Sequence, residues 1–211
     1  MSLFNDIGNL MGTLMQPDQH EEGKNLASKA GVDTNDFAKI ASIGLPLLLQ
    51  GMNRNNQHQQ GLESFNQALN QHQERNNYES FNQFSKNVDP LDGQKIVGHV
   101  FNNEQEEVNN SLADRLGVNP DTVKRTMAIL APIAIKYLAD RKRQQNLDAQ
   151  GVQKETQNLT REAAMHARDF NTNDQSKSGG LLGDLFSNLT DSTNTQKNDS
   201  GLLGSLFDLF K

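Results

Sequence analysis

The most apolar stretch of the chain, residues 40–54, reads IASIGLPLLLQGMNR and has Pro46 at its centre. Proline removes a backbone donor and clashes with the preceding turn, so it usually kinks or ends a helix. The arrangement occurs twice: residues 31–54 read GVDTNDFAKIASIGLPLLLQGMNR and residues 117–141 read GVNPDTVKRTMAILAPIAIKYLADR. Pro46 and Pro132 each lie fifteen residues after the first glycine of their segment. We interpret the pair as an internal duplication.

Both segments carry the start and stop signals of helices. Gly31 and Gly117 fit positions just after a helix end, where a positive φ favours glycine. Asp33 and Asn119 are suited to be N-caps, and apolar residues then recur at helical spacing in both copies. The internal proline either kinks this helix or begins a new one, and Gly44 favours a kink or break in the first copy. The pattern predicts an all-α fold, a helical domain built from two pseudo-repeats.

Two motifs carry a resemblance to a known family. The segments LPLLLQGM and DGQKIVGHVFNNE, the latter followed by LAPIAIKYL, resemble the YidB-like bacterial family of unknown function (domain of unknown function 937). The resemblance covers roughly residues 24–145. It implies an all-helical fold and a bacterial origin, and it implies no established activity. The chain departs from the family in its amide-rich middle and in its long C-terminal tail.

Residues 53–87 are dense in amide side chains, in a chain with 25 Asn and 19 Gln. Such low complexity is compatible with disorder. We favour short amphipathic helices with amide-rich outer faces, because apolar residues recur at helical spacing in two groups, Leu62, Phe65 and Leu69, then Tyr78, Phe81 and Phe84.

The remainder of the predicted domain, which spans residues 20–170, alternates turns and helices. The segment VDPLDG, residues 88–93, has the composition of a turn. A short buried helix follows, with His99 as a half-buried residue between the apolar positions Ile96, Val97, Val100 and Phe101. The sequence then predicts helices over residues 119–146 and 153–170.

Residues 171–211 have the composition of a flexible tail that carries two short amphipathic helices. Polar linkers precede two near-copies of one GLLGxLF motif, GLLGDLFSNL and GLLGSLFDLFK. On a helix each copy forms a compact apolar face. We predict that these faces bind a partner through Leu181, Leu182, Leu185, Phe186 and Leu189, and through Leu202, Leu203, Leu206, Phe207 and Phe210.

Three partners remain open for these motifs: the chain's own core, a groove on another protein or a second copy, and a membrane surface. The polar faces carry Asp184 and Asp208 instead of the basic residues of interfacial helices, which argues against the membrane. The amphipathic N-terminal segment, residues 1–19, has a looser third version of the motif with Leu3, Phe4, Ile7, Leu10, Met11 and Leu14.

Composition narrows the function classes. The net charge of −6 makes nucleic acid an improbable partner. A basic patch at residues 141–145, with Lys124 and Lys136, is typical of a solvated helix end. The chain has no cysteine, we identify no signal peptide at its N-terminus, and its longest apolar run is about half of a membrane span. We therefore expect a soluble, cytoplasmic protein.

We find no motif for catalysis, for a cofactor or for a metal, because the five histidines lack second ligands at suitable spacing. The sequence therefore predicts a non-enzymatic interaction or scaffold protein that self-assembles or docks a protein partner through its terminal helices. A peripheral membrane- or envelope-associated protein that uses the same helices is the alternative.

Overall fold

The computed structural model describes residues 6–75, 78 and 80–173, and for residues 73–75 and 168–173 it describes the backbone alone. Within these ranges the chain forms no strand, so the predicted all-α class is confirmed. Two short 3-10 turns, Pro17–Gln19 and Asn102–Glu104, connect helices. The α-helices in this part of the chain are α1 (Ile7–Met15), α2 (Glu21–Ala30), α3 (Thr34–Asn55), α4 (Gln59–Arg75), α5 (Phe81–Asn87), α6 (Pro90–Phe101), α7 (Gln105–Leu116), α8 (Pro120–Gln145) and α9 (Ala149–Asn173).

The two helices with internal prolines form the centre of the bundle. α3 packs against α8, and each also contacts several surrounding helices. Residues 40–49 of α3 and 126–140 of α8 are buried throughout. A helix that is apolar on nearly all sides needs cover on all sides, so the other helices surround this pair.

The chain remains helical through both prolines. Pro46 and Pro132 are buried inside α3 and α8, and neither residue ends or begins a helix. The break considered at Gly44 is therefore wrong. A Cβ atom at Gly44 would lie 2.7 Å from Sδ of Met127, so this glycine allows α3 and α8 to approach closely.

The predicted helix ends are confirmed in both segments. Gly31 and Gly117 follow α2 and α7 with φ of 65° each, in the left-handed region. The Asp33 carboxylate accepts a hydrogen bond from the Asp36 amide at 2.9 Å, and the Asn119 side chain accepts one from the Asp121 amide at 2.8 Å. The two segments thus share their caps and their internal prolines, while the duplication itself stays a prediction.

The amide-rich middle forms α4 and α5, as predicted for short amphipathic helices. Their apolar faces join the core, where Leu69 and Phe84 are 0% and 2% exposed. The Phe84 ring lies 5.5 Å from the Tyr78 ring and 6.2 Å from the Phe81 ring, measured between centroids. Aromatic packing of this kind, together with apolar burial, orders a segment whose other residues are mostly polar.

Two local predictions in the next segment are wrong. Residues 88–93 begin a helix, because the Asp89 carboxylate caps the Leu91 amide at 2.9 Å and Pro90 occupies the first helical position. Gly93 lies where α6 crosses α8, since a Cβ atom there would be 1.7 Å from the Ala128 carbonyl oxygen. His99, expected to be half-buried, is exposed on α6.

Candidate interaction groove

The tail residues predicted to bind a partner lie outside the described residues, which end at residue 173. They are Leu181, Leu182, Leu185, Phe186 and Leu189 of the first motif and Leu202, Leu203, Leu206, Phe207 and Phe210 of the second.

The first helix, α1, carries a sequence in the same register as the two tail motifs. Residues 10–15 read LMGTLM, residues 181–186 read LLGDLF and residues 202–207 read LLGSLF. The three segments share one six-residue pattern. Leucine occupies the first and fifth positions and glycine the third, the second is leucine or methionine, the fourth varies, and the sixth is methionine or phenylalanine. The match extends to Met15, which lies one position beyond the residues that sequence periodicity singled out.

In α1 the four apolar positions of this motif are almost fully buried. Leu10, Met11, Leu14 and Met15 are 1%, 0%, 0% and 7% exposed. The helix packs against α3 and α9, which form the walls of an apolar groove. We call this the α3–α9 groove. Its floor and walls belong to the same core as the two central helices.

The start of α1 is fixed by polar contacts and by a close approach to α9. The Asp6 carboxylate caps the helix, accepting hydrogen bonds from the Asn9 amide at 2.7 Å and from the Asn9 side chain at 2.9 Å. A Cβ atom at Gly8 would lie 3.1 Å from the His166 ring of α9. A side chain at this position would require the exposed His166 ring to shift by a few tenths of an ångström.

The glycine shared by all three motifs faces away from the groove. A Cβ atom at Gly12 would have no heavy atom within 4 Å among the described residues. The groove itself therefore does not require Gly12, although a glycine weakens a helix relative to alanine.

A second group of polar side chains lies along the C-terminal half of α8. Lys136 and Asp140 form an ion pair of 2.7 Å with side chains 3% and 1% exposed, and Arg143 approaches the same carboxylate at 3.4 Å. The other carboxylate oxygen of Asp140, Oδ2, is buried without a hydrogen-bond partner among the described residues. Sequence reasoning placed Lys136 on a solvated face and did not find this buried pair.

The arginines that end the two repeat segments each pair with a glutamate. Arg54 donates from both terminal nitrogens to Glu104 at 3.0 Å, and Nε of Arg141 donates to Glu155 at 2.6 Å. Burial acts to lower the pKa of Arg141, but the hydrogen bond with Glu155 and the nearby charges of Glu155, Tyr137 and Glu162 together more than offset it, so the net pKa is raised.

Tyr137 lies beside this pair and is 2% exposed. Burial raises the pKa of Tyr137 to about 12, with Arg141 acting in the opposite direction and Glu155 reinforcing the rise. Burial also lowers the pKa of Lys142, whose ammonium contacts Asn70 and the Asn66 carbonyl of α4.

These contacts change the interpretation of the basic patch at residues 141–145. Three of its cations, with Lys136, are engaged by Asp140, Glu155 and the amide oxygens of α4. The patch is therefore mainly structural, as an anchor between α8 and its neighbours. These ion pairs and hydrogen bonds hold the basic side chains in place. They leave little unpaired positive charge that could bind the phosphate backbone of a nucleic acid.

Other candidate chemistry is sparse in the part of the chain that the structure describes. There, no group of three or more His, Asp or Glu side chains is arranged to hold a metal ion. His72 lies 3.9 Å from the Asp92 carboxylate. Among the described helices, none combines the length and apolarity that crossing a membrane requires.

Comparison with known proteins identifies a family through a match to one family sequence model. No curated protein and no solved structure matches the chain significantly. Residues 11–141, which cover most of the described helices and both repeat segments, match the sequence model described as a bacterial protein of unknown function, DUF937. The predicted resemblance is confirmed, and the chain belongs to this bacterial family.

Proposed function

We propose that this protein is a non-enzymatic interaction or scaffold protein, which self-assembles or docks a protein partner through short amphipathic terminal helices. The observation that carries the proposal is the burial of the α1 motif. Leu10, Met11, Leu14 and Met15 fill an apolar groove, and the tail repeats the same pattern twice. A sequence that binds a groove once in the chain is suited to do so elsewhere.

The energetics favour docking of such motifs over their independent folding. A helix of about ten residues is marginal alone in water. Burial of each Leu, Met or Phe side chain contributes roughly 1.5–3 kcal/mol, so four or five of them offset the cost of ordering the segment. Two motifs joined by a polar spacer also gain avidity from their linkage.

The charged cluster supports a non-enzymatic role. Lys136, Asp140 and Glu155 are buried and engaged in ion pairs inside the bundle, where they stabilise contacts between helices. A catalytic pair requires access to a substrate, and these side chains have little exposed surface. A chain without cysteine also suits a reducing compartment, and we propose a cytoplasmic location.

Light scattering after size-exclusion chromatography tests the proposal at several protein concentrations. We expect the full chain to form oligomers and a chain that ends at Gln175 to remain monomeric. Leu206→Asp should reduce assembly, whereas the matched control Ser205→Asp adds the same charge on the opposite face and should not. Monomers throughout would overturn self-assembly.

Membrane association is the alternative use of the same helices. Co-sedimentation of the full chain with vesicles containing anionic lipid separates the two functions. Binding to vesicles by a chain that remains monomeric in solution would favour the membrane alternative. The acidic residues Asp184 and Asp208 on the polar faces argue against it.

A further inference from the structure

We infer that the described domain is an internal dimer of two equivalent but unlike four-helix units, residues 6–75 and 89–165, which bind each other across a pseudo-two-fold axis beside Gly44 and Leu130. The first unit contains α1 to α4, and the second contains α6 to α9. The interface lies within the helical domain and is independent of the tail motifs. The partner of each unit is the other unit of the same chain.

The first three helices of the two units correspond at a constant offset of 86 positions. Three pairs of helix ends show this offset: Met15 and Phe101, Ala30 and Leu116, Thr34 and Pro120. The left-handed glycines Gly31 and Gly117 and the internal prolines Pro46 and Pro132 are separated by the same number. One offset shared by helices, turns and prolines indicates that the duplication extends beyond the two central helices.

The same offset relates α1 to α6. Residues 10–15 read LMGTLM and residues 96–101 read IVGHVF, so both segments have a glycine in third place and apolar residues in the same four positions. All eight of these apolar side chains are buried. The equivalent helices therefore turn equivalent faces towards the core.

The fourth helices correspond at an offset of 90 positions. α4 begins at Gln59 and α9 at Ala149, and the helices before them end at Asn55 and Gln145. Residues 60–69 read QGLESFNQAL and residues 150–159 read QGVQKETQNL, which are identical at four positions. The four additional residues lengthen α8 by about one turn, so the helix that follows can keep its orientation.

The units exchange their fourth helices. α9 of the second unit packs mainly against α3 of the first, and α4 of the first packs mainly against α8 of the second. Gln153 of α9 donates to the carbonyl of Asn56 at the end of α3 at 2.7 Å, and Lys142 of α8 donates to the Asn66 carbonyl of α4 at 3.5 Å. Each unit thus completes the core of the other, as in an isologous dimer.

The contact between Gly44 and Leu130 locates the axis. These two residues occupy equivalent positions, and a Cβ atom at Gly44 would lie 3.2 Å from Cδ1 of Leu130. In a two-fold interface, a residue meets its own equivalent only beside the axis. The axis therefore passes between α3 and α8 at this crossing.

The residues beside the axis differ in size between the two units. The first unit has Ala41 and Gly44 where the second has Met127 and Leu130, and all four are buried. Two first units would place small residues together and leave a void, whereas two second units would overpack the crossing. The unlike residues therefore favour closure of one chain on itself over pairing of like units from two copies.

Exchange of the axis residues in the full-length chain tests the two-fold relationship. Ala41→Met/Gly44→Leu overpacks the crossing and Met127→Ala/Leu130→Gly leaves a cavity, so each variant should lower the urea midpoint by about 1 M or more. The fourfold variant moves the large residues to the other side of the axis. It should recover more than half of the summed loss, with the helical circular dichroism of the native chain.

The matched control exchanges two residues that touch but are not equivalent. A Cβ atom at Gly51 of α3 would overlap Cγ1 of Val100 in α6. Because no symmetry relates these positions, Gly51→Val/Val100→Gly should retain the losses of its two single variants. If the exchange at the axis recovers no more stability than this control, the two-fold relationship is wrong.

Cleavage between the units measures their binding. A protease recognition sequence inserted between Asn87 and Val88 leaves both units complete, and the uncleaved chain is the control. After cleavage we expect both pieces to elute together at micromolar concentration and to unfold in one transition, whose urea midpoint rises with concentration as for a bimolecular complex. Separation of the pieces without urea, or two independent transitions, would overturn the inference.

Discussion

Lys136 and Asp140 face each other at 2.7 Å inside α8, with both side chains almost completely removed from solvent. Desolvation of two charges can cost more than their attraction returns, whereas removal of one partner leaves the other buried and uncompensated. Asp140→Leu should therefore destabilise the fold by about 3–5 kcal/mol, measured by urea unfolding. The double variant Lys136→Met/Asp140→Leu should recover most of that loss.

The control for this pair is Lys124→Met, which changes an exposed lysine of the same helix. It should shift the free energy of unfolding by less than about 0.5 kcal/mol. If Asp140→Leu were as mild as Lys124→Met, the ion pair would not be buried as described.

The docking of α1 predicts opposite effects of two neighbouring substitutions. Leu14→Ala removes a fully buried side chain and should cost about 2–5 kcal/mol of unfolding free energy. Gly12→Ala adds a methyl group in open space and should stabilise the helix by about 0.5–1 kcal/mol. Chemical denaturation measures both, and a neutral Leu14→Ala would show that α1 contributes little to the core.

The crossing of α6 and α8 gives a second matched pair of glycines. A Cβ atom at Gly93 would lie 1.7 Å from the Ala128 carbonyl oxygen, so Gly93→Ala forces the helices apart and should cost about 1–3 kcal/mol. At Gly98 in the same helix the nearest atom would be 3.6 Å away, and Gly98→Ala should be neutral or stabilising. Thermal unfolding of both variants tests the contrast.

The raised pKa of Tyr137 predicts that the folded protein loses stability in alkaline solution. Burial raises its pKa to about 12 from the usual 10, so the folded state binds more protons than the unfolded state between these pH values. Stability therefore falls as the pH rises from 10 towards 12, by up to about 2–3 kcal/mol from this group. Tyr137→Phe should remove that part of the slope. It should also remove the late step of tyrosine absorbance near pH 12.

Local rules account for much of the fold. Gly31, Gly117, Asp33 and Asn119 act as sequence signals at helix ends, and their backbone chemistry hardly depends on distant residues. Residues 88–93 were misread because Asp, Pro and Gly suit a turn and also the first turn of a helix. Both the Asp89 cap and the packing of Gly93 against α8, more than thirty residues further along the chain, favour the helix.

The candidate site was predictable only in part. Helical periodicity identified the apolar faces of the tail motifs and a looser version in α1. The match between α1 and the tail motifs can be read from the sequence, whereas the burial of Met15 in α1 is known only from the structure. The burial of Lys136 was not predictable, because it depends on helices that cover α8 from other parts of the chain.

The contact between Gly93 and Ala128 also restricts how the helices of this bundle can slide. Helices with uniformly apolar faces can pack in several registers that differ by one turn, and such alternatives have similar energies. Movement of α6 by one turn would bring Val97 or Pro90 to the Ala128 carbonyl, where not even a single methyl group fits. The absence of a side chain at Gly93 thus disfavours these shifted alignments of α6 on α8.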